Sequence, residues 1–475
     1  MESVPNVLAD RYASPEMRKI WSPEGRIRLE REFWISVLKA QADLGLSVPE
    51  GAVEAYQAHL NEVDLDAIRE REQVTRHDVK ARLEAFCELA GHQHLHKGLT
   101  SRDLTESVEQ LQLYRSLLLL RDKSVAVLAS FRRAAEHYRE WVLTARTHNV
   151  PAQPTTLGRR IAMYGEELLL AYRGLVHLLD TYPARGVKGA VGTQLDVLTL
   201  FGGDAAKVDA FEGKVLKFLG LPALLTAPGQ VYPRSLDQEV IHSLVRLAAG
   251  PGDFCRSLRL LAGHDAASEG FAEGQTGSSA MPHKVNSRSC ERVNGFQNLL
   301  RGYLTMAASI SGDQWLEGDV SCSVVRRIAL PDACFALDGL FETVLNILSQ
   351  MSVHREVIES ENRKYLPFLC TTTVLMRMVQ AGVGREQAHN LIKKHAVAAL
   401  EAMRRSGAGA SNNLMDRLAG DPEVPIDGKE LDTILEEASS LTGRAVDQVN
   451  TFLTEVDKVT EAHPKAAAYR PMSIL

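Results

Sequence analysis

The chain contains 475 residues, of which 45% are hydrophobic and 24% charged, and its formal net charge is −6. This is the composition of a globular protein with room for more than one domain. The negative balance argues against nucleic acid as a partner, because no basic field is available to hold a phosphate backbone.

Membrane and secretory classes are also excluded. The longest uncharged run, 218–233, has 16 residues with three prolines, which is shorter than the roughly 20 residues that cross a bilayer. The first residues carry acidic and basic side chains and no apolar stretch, so we expect no secretory signal and a cytoplasmic protein. The six cysteines lack C-x-x-C spacing, so we expect reduced thiols, with neither a disulfide framework nor a metal site.

Long helices are predicted in the first half of the chain. No proline occurs between Pro49 and Pro151, as uninterrupted helices require. Within 109–146 the apolar positions follow a seven-residue repeat. At about 1.5 Å per residue such a helix is roughly 55 Å long. One compact domain cannot bury it, so we expect it to bundle with other long helices, including those of neighbouring subunits.

Further helices follow. One begins at Ser235, where Gln238 predicts a capping box, and we expect the triplet 250–252 (Gly-Pro-Gly) to interrupt it. Another covers 328–348. Strand signals are scarce, and those at 187–197 are broken by glycine. The predicted fold class is all-α. Composition changes divide the chain into three predicted domains, a helical domain at 1–104, a central long-helix bundle at 105–361 and a C-terminal helical domain at 362–475.

One polar stretch contrasts with the helices around it. Residues 274–293 read GQTGSSAMPHKVNSRSCERV, with paired serines, a proline and a lysine but no apolar stripe. An oxyanion can be stabilised where backbone N–H groups, two hydroxyls and an ammonium lie close together. A surface turn of the same composition is the alternative on these residues alone.

The segment GSSAMPHKVN resembles the signature loop of the fumarase/aspartase superfamily, and its histidine before the lysine resembles the adenylosuccinate lyase family. Two more segments, HKGLTSRDLTES and ARTHNVPAQPTTLG, resemble the other regions from which that superfamily builds its site. TRHDVKA and NVLADRY are similar to adenylosuccinate lyases in particular. The likeness runs from about residue 7 to about residue 370, and it implies the long-helix bundle fold of the superfamily.

The resemblance implies a β-elimination that releases fumarate from adenylosuccinate. It makes Ser278 the base that removes a proton beside a carboxylate, with Ser279 as the rival assignment. Lys284 stabilises the serine alkoxide. His148 is the general acid and Glu291 its carboxylate partner. On residue type alone, a loop histidine such as His148 is more often a plain surface residue, and Glu291 is a solvated helix charge.

The resemblance also implies substrate contacts. Thr100 or Ser101 caps a helix, and the same hydroxyls and free N–H groups suit a carboxylate. Three alternating histidines end at His96; we reject a metal there and keep His96 as a substrate contact. The full implied set of binding residues is Arg11, Tyr12, Arg76, His77, Asp78, His96, Thr100, Ser101, Gln230, Asn286, Ser323 and Arg327.

Two positions depart from the family pattern. Ser287 replaces the proline that usually follows the loop asparagine. Gly318 stands where these lyases commonly carry an arginine near the substrate phosphate, and Arg326 is a candidate to compensate. The resemblance implies no cofactor, and it implies a homotetramer with sites shared between subunits. Another superfamily lyase of the argininosuccinate lyase type, a carboxymuconate cycloisomerase and a non-catalytic helical scaffold are the rival interpretations.

Overall fold

The structure is a computed structural model that describes residues 4–270, 281, 284–406 and 411–472. Short helices dominate its first hundred residues. They are α1 (Val7–Arg11), α2 (Pro15–Trp21), α3 (Pro23–Asp43), α4 (Ala52–Ala58), α5 (Leu65–Thr75) and α6 (Asp78–Ala90). Only α3 exceeds five turns, and it buries Phe33, Trp34 and Leu38. Within the described ranges, no helix is both long and apolar enough to span a membrane.

The middle of the chain holds the long helices. The elements are α7 (Ser101–His137), β1 (Val142–Thr147), β2 (Val150–Thr156), α8 (Leu157–Thr181), β3 (Pro183–Ala184), α9 (Leu195–Leu200), α10 (Ala205–Leu219), β4 (Ala223–Leu224), α11 (Ser235–Gly263), β5 (Ala267–Ser268), α12 (Arg288–Ile310), α13 (Ser323–Gln350) and β6 (Ser352–Val353). β1 pairs with β2 and β5 with β6, both antiparallel, while β3 and β4 are parallel.

Helices α7, α11 and α13 run in the same direction. Near the start of α7, Glu106 pairs with Arg234 at 2.9 Å and Glu109 with Arg326 at 2.6 Å. Further along, the Phe131 and Phe254 rings of α7 and α11 meet at 5.3 Å. Helices α8 and α12 run antiparallel to these three. The bundle therefore has two distinct ends, one at the start of α7 and one at the β1–β2 hairpin.

The remaining helices are α14 (Arg355–Leu369), α15 (Thr371–Gln380), α16 (Arg385–Ser406), α17 (Leu414–Ala419), α18 (Gly428–Glu436), α19 (Ala445–Ala462) and α20 (Pro464–Ala467). Buried apolar residues of α15 to α18 form a separate cluster. The large cluster of the bundle includes Val449 and Phe452 of α19. The all-α prediction is confirmed, and the three-domain division stays a prediction.

Several local predictions are wrong. The long helix ends at His137, and the residues beyond it form the hairpin. The predicted capping box is absent, because Ser235 is already helical and the cap, Arg234, makes no side-chain cap bond. α11 also continues unbroken through Pro251. A Cβ on Gly250 would lie 2.4 Å from the Tyr164 carbonyl oxygen. That glycine therefore permits close helix packing rather than ending the helix.

Candidate active site

The start of α7 is built on a buried ion pair. Thr100 caps the helix, and its backbone N–H donates to Asp103 Oδ2 at 2.8 Å in a capping box. The other carboxylate oxygen of Asp103 accepts from Arg185 Nη1 at 2.6 Å and from the Lys188 and Gly189 amides at 3.0 and 2.9 Å. Both charged side chains are fully buried. Thr100 and Ser101 are therefore held in place by buried hydrogen bonds. Of the two predicted caps, Thr100 is the cap and Ser101 is the first helical residue.

Two histidines lie beside this helix start. Ser101 Oγ is 3.5 Å from His77 Nε2, and His77 itself caps α6. Trp34 Nε1 donates to His96 Nδ1 at 3.0 Å. Burial lowers the pKa of His96. Because Nδ1 accepts a hydrogen bond, the neutral ring carries its proton on Nε2 and can donate from there.

The neighbouring Arg76 and Asp78 differ in their surroundings, since the Arg76 side chain is exposed and the Asp78 carboxylate is hydrogen-bonded to Arg82. Arg76 has a left-handed backbone, with φ of 49°, and its side chain is exposed. The carboxylate of Asp78 accepts from Arg82 Nη2 at 2.8 Å and from the Val79 amide at 2.8 Å. Burial raises the pKa of Asp78, but Arg82, the Val79 amide and Arg26 together lower it by more, so the net pKa of Asp78 is lowered. In this chain Asp78 is thus already committed to Arg82.

Gln230 reaches the same end of the bundle. Arg185 Nε donates to the Gly229 carbonyl at 3.3 Å, so the Asp103–Arg185 pair also anchors the segment that carries Gln230. The backbone N–H of Gln230 donates to the Glu317 carbonyl oxygen at 2.6 Å. We call His77, His96, Thr100, Ser101 and Gln230 the N-cap group.

The departure at Gly318 lies directly beside Gln230. Gly318 has φ of 140°, and a Cβ there would come within 3.1 Å of Val231 Cγ2. An arginine therefore does not fit this backbone without a rearrangement. Arg326 does not compensate, because its guanidinium is buried and paired with Asp237 at 2.7 Å and Glu109 at 2.6 Å. Ser323 begins α13, and the exposed Arg327 lies one turn further along the helix.

His148 lies at the opposite end of α7, at the tip of the β1–β2 hairpin. His148 and Asn149 are the two turn residues, and both have positive φ, 52° and 60°, as a type I′ turn requires. Arg146 fixes the turn, since Nη1 donates to the Asn149 carbonyl at 3.0 Å and the same guanidinium pairs with Glu361. The turn presents the exposed imidazole to solvent. The loop that was expected around His148 is therefore a hairpin.

The described end of the signature segment, residues 284–293, lies at the same end of the bundle as the hairpin, since Glu291 is close to Arg259 near the end of α11. Ser278 and Ser279 lie outside the described residues. Lys284 is exposed, and Asn286 is half-buried. Glu291, in the first turn of α12, is 57% exposed and lies 3.7 Å from Arg259 of α11. Within one chain its near cation is therefore Arg259. We call His148, Lys284 and Glu291 the hairpin group.

Glu269 is a site-supporting residue that the sequence analysis missed. Its buried carboxylate accepts from the Ser289 and Cys290 amides at 3.0 and 2.9 Å. These are free N–H groups of the first turn of α12, so Glu269 caps that helix from a distance. It thereby fixes the position of Glu291 and the exit of the signature segment. A single acidic residue ahead of a glycine-rich stretch gives no sequence signal for this role.

Arg11 and Tyr12 form a third location, on the side of the bundle. The Tyr12 ring packs edge-on against Phe296 at 5.1 Å and lies 5.4 Å below the Arg292 guanidinium. Arg11 is exposed at the end of α1.

One chain does not bring the predicted residues together. The 37 residues of α7 separate the N-cap group from the hairpin, a span of about 55 Å at 1.5 Å per residue. The described residues of a single chain therefore supply parts of a site at two ends, with the nucleotide contacts expected from Arg11 and Tyr12 between them.

Comparisons with known proteins bear on these parts. A sequence profile described as lyase matches residues 11–302, and one described as adenylosuccinate lyase C-terminus matches residues 367–452. Adenylosuccinate lyase of Schistosoma mansoni is 33% identical over 473 residues, covering 98% of each chain. Its counterpart from Saccharomyces cerevisiae is also 33% identical, covering 94% of this chain and 93% of the yeast protein.

The fold is similar to solved structures as well. The 3-carboxy-cis,cis-muconate lactonizing enzyme of Pseudomonas putida superposes with a TM-score of 0.80, covering 96% of this chain and 100% of that chain. A fumarate lyase of Mesorhizobium gives a TM-score of 0.77 over 94% of this chain and 98% of that chain. With 23% and 18% sequence identity, these two structures support the fold alone.

Proposed function

The chain belongs to the adenylosuccinate lyase family, and we propose that it releases fumarate from adenylosuccinate to give AMP. The observation that carries the proposal is the full-length match, 33% identity over 98% of the chain. By the same family membership, it also cleaves the succinyl-carboxamide ribotide of purine nucleotide biosynthesis, SAICAR, to give AICAR. The enzyme is thus a carbon-nitrogen lyase.

The reaction needs a base and an acid on opposite faces of the substrate. Ser278, as alkoxide, removes the proton from the carbon beside a carboxylate. The released electron pair forms the carbon-carbon double bond of fumarate, and the C–N bonding pair leaves with nitrogen. His148 protonates that nitrogen. Lys284 stabilises the alkoxide, and Glu291 holds the imidazole in its protonated form.

The N-cap group is the proposed receptor for the succinyl carboxylates. Thr100 and Ser101 offer hydroxyls where the first amides of α7 are free, and a helix start attracts negative charge. His96 can donate from Nε2 because its Nδ1 is occupied by Trp34. Gln230 adds its side-chain amide as a further hydrogen-bond donor. The Asp103–Arg185 pair fixes the start of α7 before the substrate arrives. Little reorganisation of the protein therefore accompanies substrate binding.

Each site combines different subunits in this proposal. Groups about 55 Å apart on α7 cannot flank one bond, whereas a neighbouring copy can supply the missing end. Exposed apolar side chains on the bundle helices, Met163 and Leu170 of α8 and Val324 of α13, support such packing, with 49%, 60% and 69% of their surface exposed. A homotetramer sharing its sites is the proposed assembly. The cytoplasmic location stays a prediction.

The test follows adenylosuccinate absorbance and fumarate release with the purified protein. We expect wild-type turnover, a loss of about 100- to 10,000-fold in Ser278→Ala, and near wild-type rates in the matched Ser279→Ala control. Loss in the control alone would assign the base to Ser279. A folded wild-type protein that leaves adenylosuccinate unchanged would favour a non-catalytic scaffold. Fumarate release from argininosuccinate alone would favour another lyase of the superfamily.

A further inference from the structure

We infer that the C-terminal tail, residues 469–472, positions the segment that carries Arg11 and Tyr12, and so sets nucleotide affinity. This inference deepens the proposed function and rests on it. It concerns a buried cluster of charges in the middle of α13, which the proposed reaction does not use.

The cluster contains one lysine and two carboxylates. Lys123 of α7 pairs with Asp338, and with Glu342 at 2.6 Å. All three side chains are at most 2% exposed. Two buried carboxyl groups share one ammonium, and burial raises the pKa of Asp338 despite Lys123, so ionised carboxylates at this place depend on further hydrogen-bond donors.

The tail donates to one of the two carboxylates. Tyr469 OH donates to Glu342 Oε1 at 2.6 Å, and the Met472 amide donates to Glu342 Oε2 at 2.8 Å. Asn346 holds the tail by donating to the Met472 carbonyl at 2.9 Å. The Tyr469 ring also lies 5.4 Å from the Lys123 ammonium. The tail thus supplies hydrogen-bond donors to both carboxylate oxygens of Glu342. Lys123 can therefore also pair with Asp338.

The other carboxylate holds the N-terminal segment. The Ser14 amide donates to Asp338 Oδ2 at 2.6 Å, and Ser14 is fully buried. Tyr12, two residues earlier, packs against Gly339, where a Cβ would lie 2.8 Å from Tyr12 Cβ. The chain of contacts runs from Tyr469 through Glu342, Lys123 and Asp338 to Ser14. Without the tail, Lys123 is drawn to Glu342. Asp338, left in a buried place without its cation, is then protonated more readily, and the neutral carboxyl group holds the Ser14 amide more weakly.

The test compares Tyr469→Phe, a chain ending at Ala468, and the control Arg470→Gln, whose exposed side chain is adjacent to Tyr469 in sequence. Tyr469→Phe keeps the ring and removes only the hydroxyl. We expect its KM for adenylosuccinate to rise about 5- to 20-fold while kcat stays within about twofold, as for lost uniform binding. The shortened chain should show the larger rise, and the control none.

Hydrogen exchange at the Ser14 amide supplies a second measurement, which needs no substrate. We expect faster exchange at Ser14 in Tyr469→Phe, with wild-type exchange in Arg470→Gln. An unchanged KM together with unchanged Ser14 exchange would overturn the inference, as would a fall in kcat with KM unaffected. If the wild-type protein does not cleave adenylosuccinate, the proposed function fails, and the exchange result still decides whether the tail anchors this segment.

Discussion

The two ends of α7 differ in how deeply their charged side chains are buried. At the N-cap group, Asp103 and Arg185 are both 0% exposed, and their hydrogen bonds reach Thr100, Gly189 and Gly229. At the hairpin group, Glu291 and Arg259 are 57% and 41% exposed and 3.7 Å apart. The first end is fixed by buried hydrogen bonds within one chain, as the proposed carboxylate receptor requires. The second presents exposed side chains to solvent, namely those to which we assign the proton transfers.

This difference matches the division of labour in the proposed reaction. Binding of carboxylates benefits from donors that are fixed in advance, because no reorganisation is then needed. Proton transfer requires groups that approach the substrate from the other side, and in the proposed assembly another copy of the chain supplies them. Substitutions at the N-cap group should therefore affect stability and affinity, whereas those at the hairpin group should affect turnover alone.

The largest effect is expected at the hairpin group. His148→Ala should lower kcat by about 100- to 10,000-fold, as for loss of a general acid. Its thermal unfolding should match wild type, because the ring is exposed. The matched control is His177→Ala, an exposed histidine on α8. Parallel losses of kcat and of folded protein in His148→Ala would remove the distinction between the two ends.

Breaking the buried pair tests the N-cap group. Asp103→Ala leaves the Arg185 charge buried without its carboxylate partner, so we expect a loss of about 3–5 kcal/mol in the free energy of unfolding. Asp122→Ala on the same helix breaks a half-exposed pair with Arg121 and should cost less than about 1 kcal/mol. Urea titration measures both. Equal losses in the two variants would show that burial does not distinguish this end.

A smaller effect is expected from the cap itself. Thr100→Ala removes the capping hydroxyl, and we expect about 1 kcal/mol lower stability. It should also raise KM, because the same hydroxyl is a proposed carboxylate contact. Thr100→Ser keeps the oxygen and should restore both quantities. A Thr100→Ser variant as impaired as Thr100→Ala would mean that the methyl group, rather than the hydroxyl, matters.

The smallest effect concerns pH. Burial lowers the pKa of His96 below its ordinary 6.5, so the unfolded chain binds the proton more readily than the folded one. Stability should therefore be complete above pH 6.5 and decline as pH falls below it. His96→Gln should reduce that decline, measured by urea unfolding at pH 5.5 and 7.5. An identical decline in the variant would mean that His96 does not contribute.

The sequence predicts the helical fold and the cap at Thr100 because both depend on local patterns. The sequence does not predict the Asp103–Arg185 pair, whose members are 82 residues apart along the chain. It also does not predict the contact of Glu269 with the Ser289 amide, 20 residues away. It misplaces a break at 250–252 because glycine there serves a helix contact. The hairpin was missed for a related reason: the turn that positions His148 uses His and Asn rather than glycine.

Subunit complementation tests the shared site most directly. His77→Ala removes a member of the N-cap group and His148→Ala a member of the hairpin group. At a substrate concentration well below the KM of His77→Ala, each variant alone should therefore be far less active than wild type, the first through weaker affinity and the second through lost turnover. When the two are dissociated, mixed in equal amounts and reassembled, about a quarter of the sites should combine two native ends. We predict recovery of about that fraction of wild-type activity. A mixture no more active than the average of its components would contradict the account.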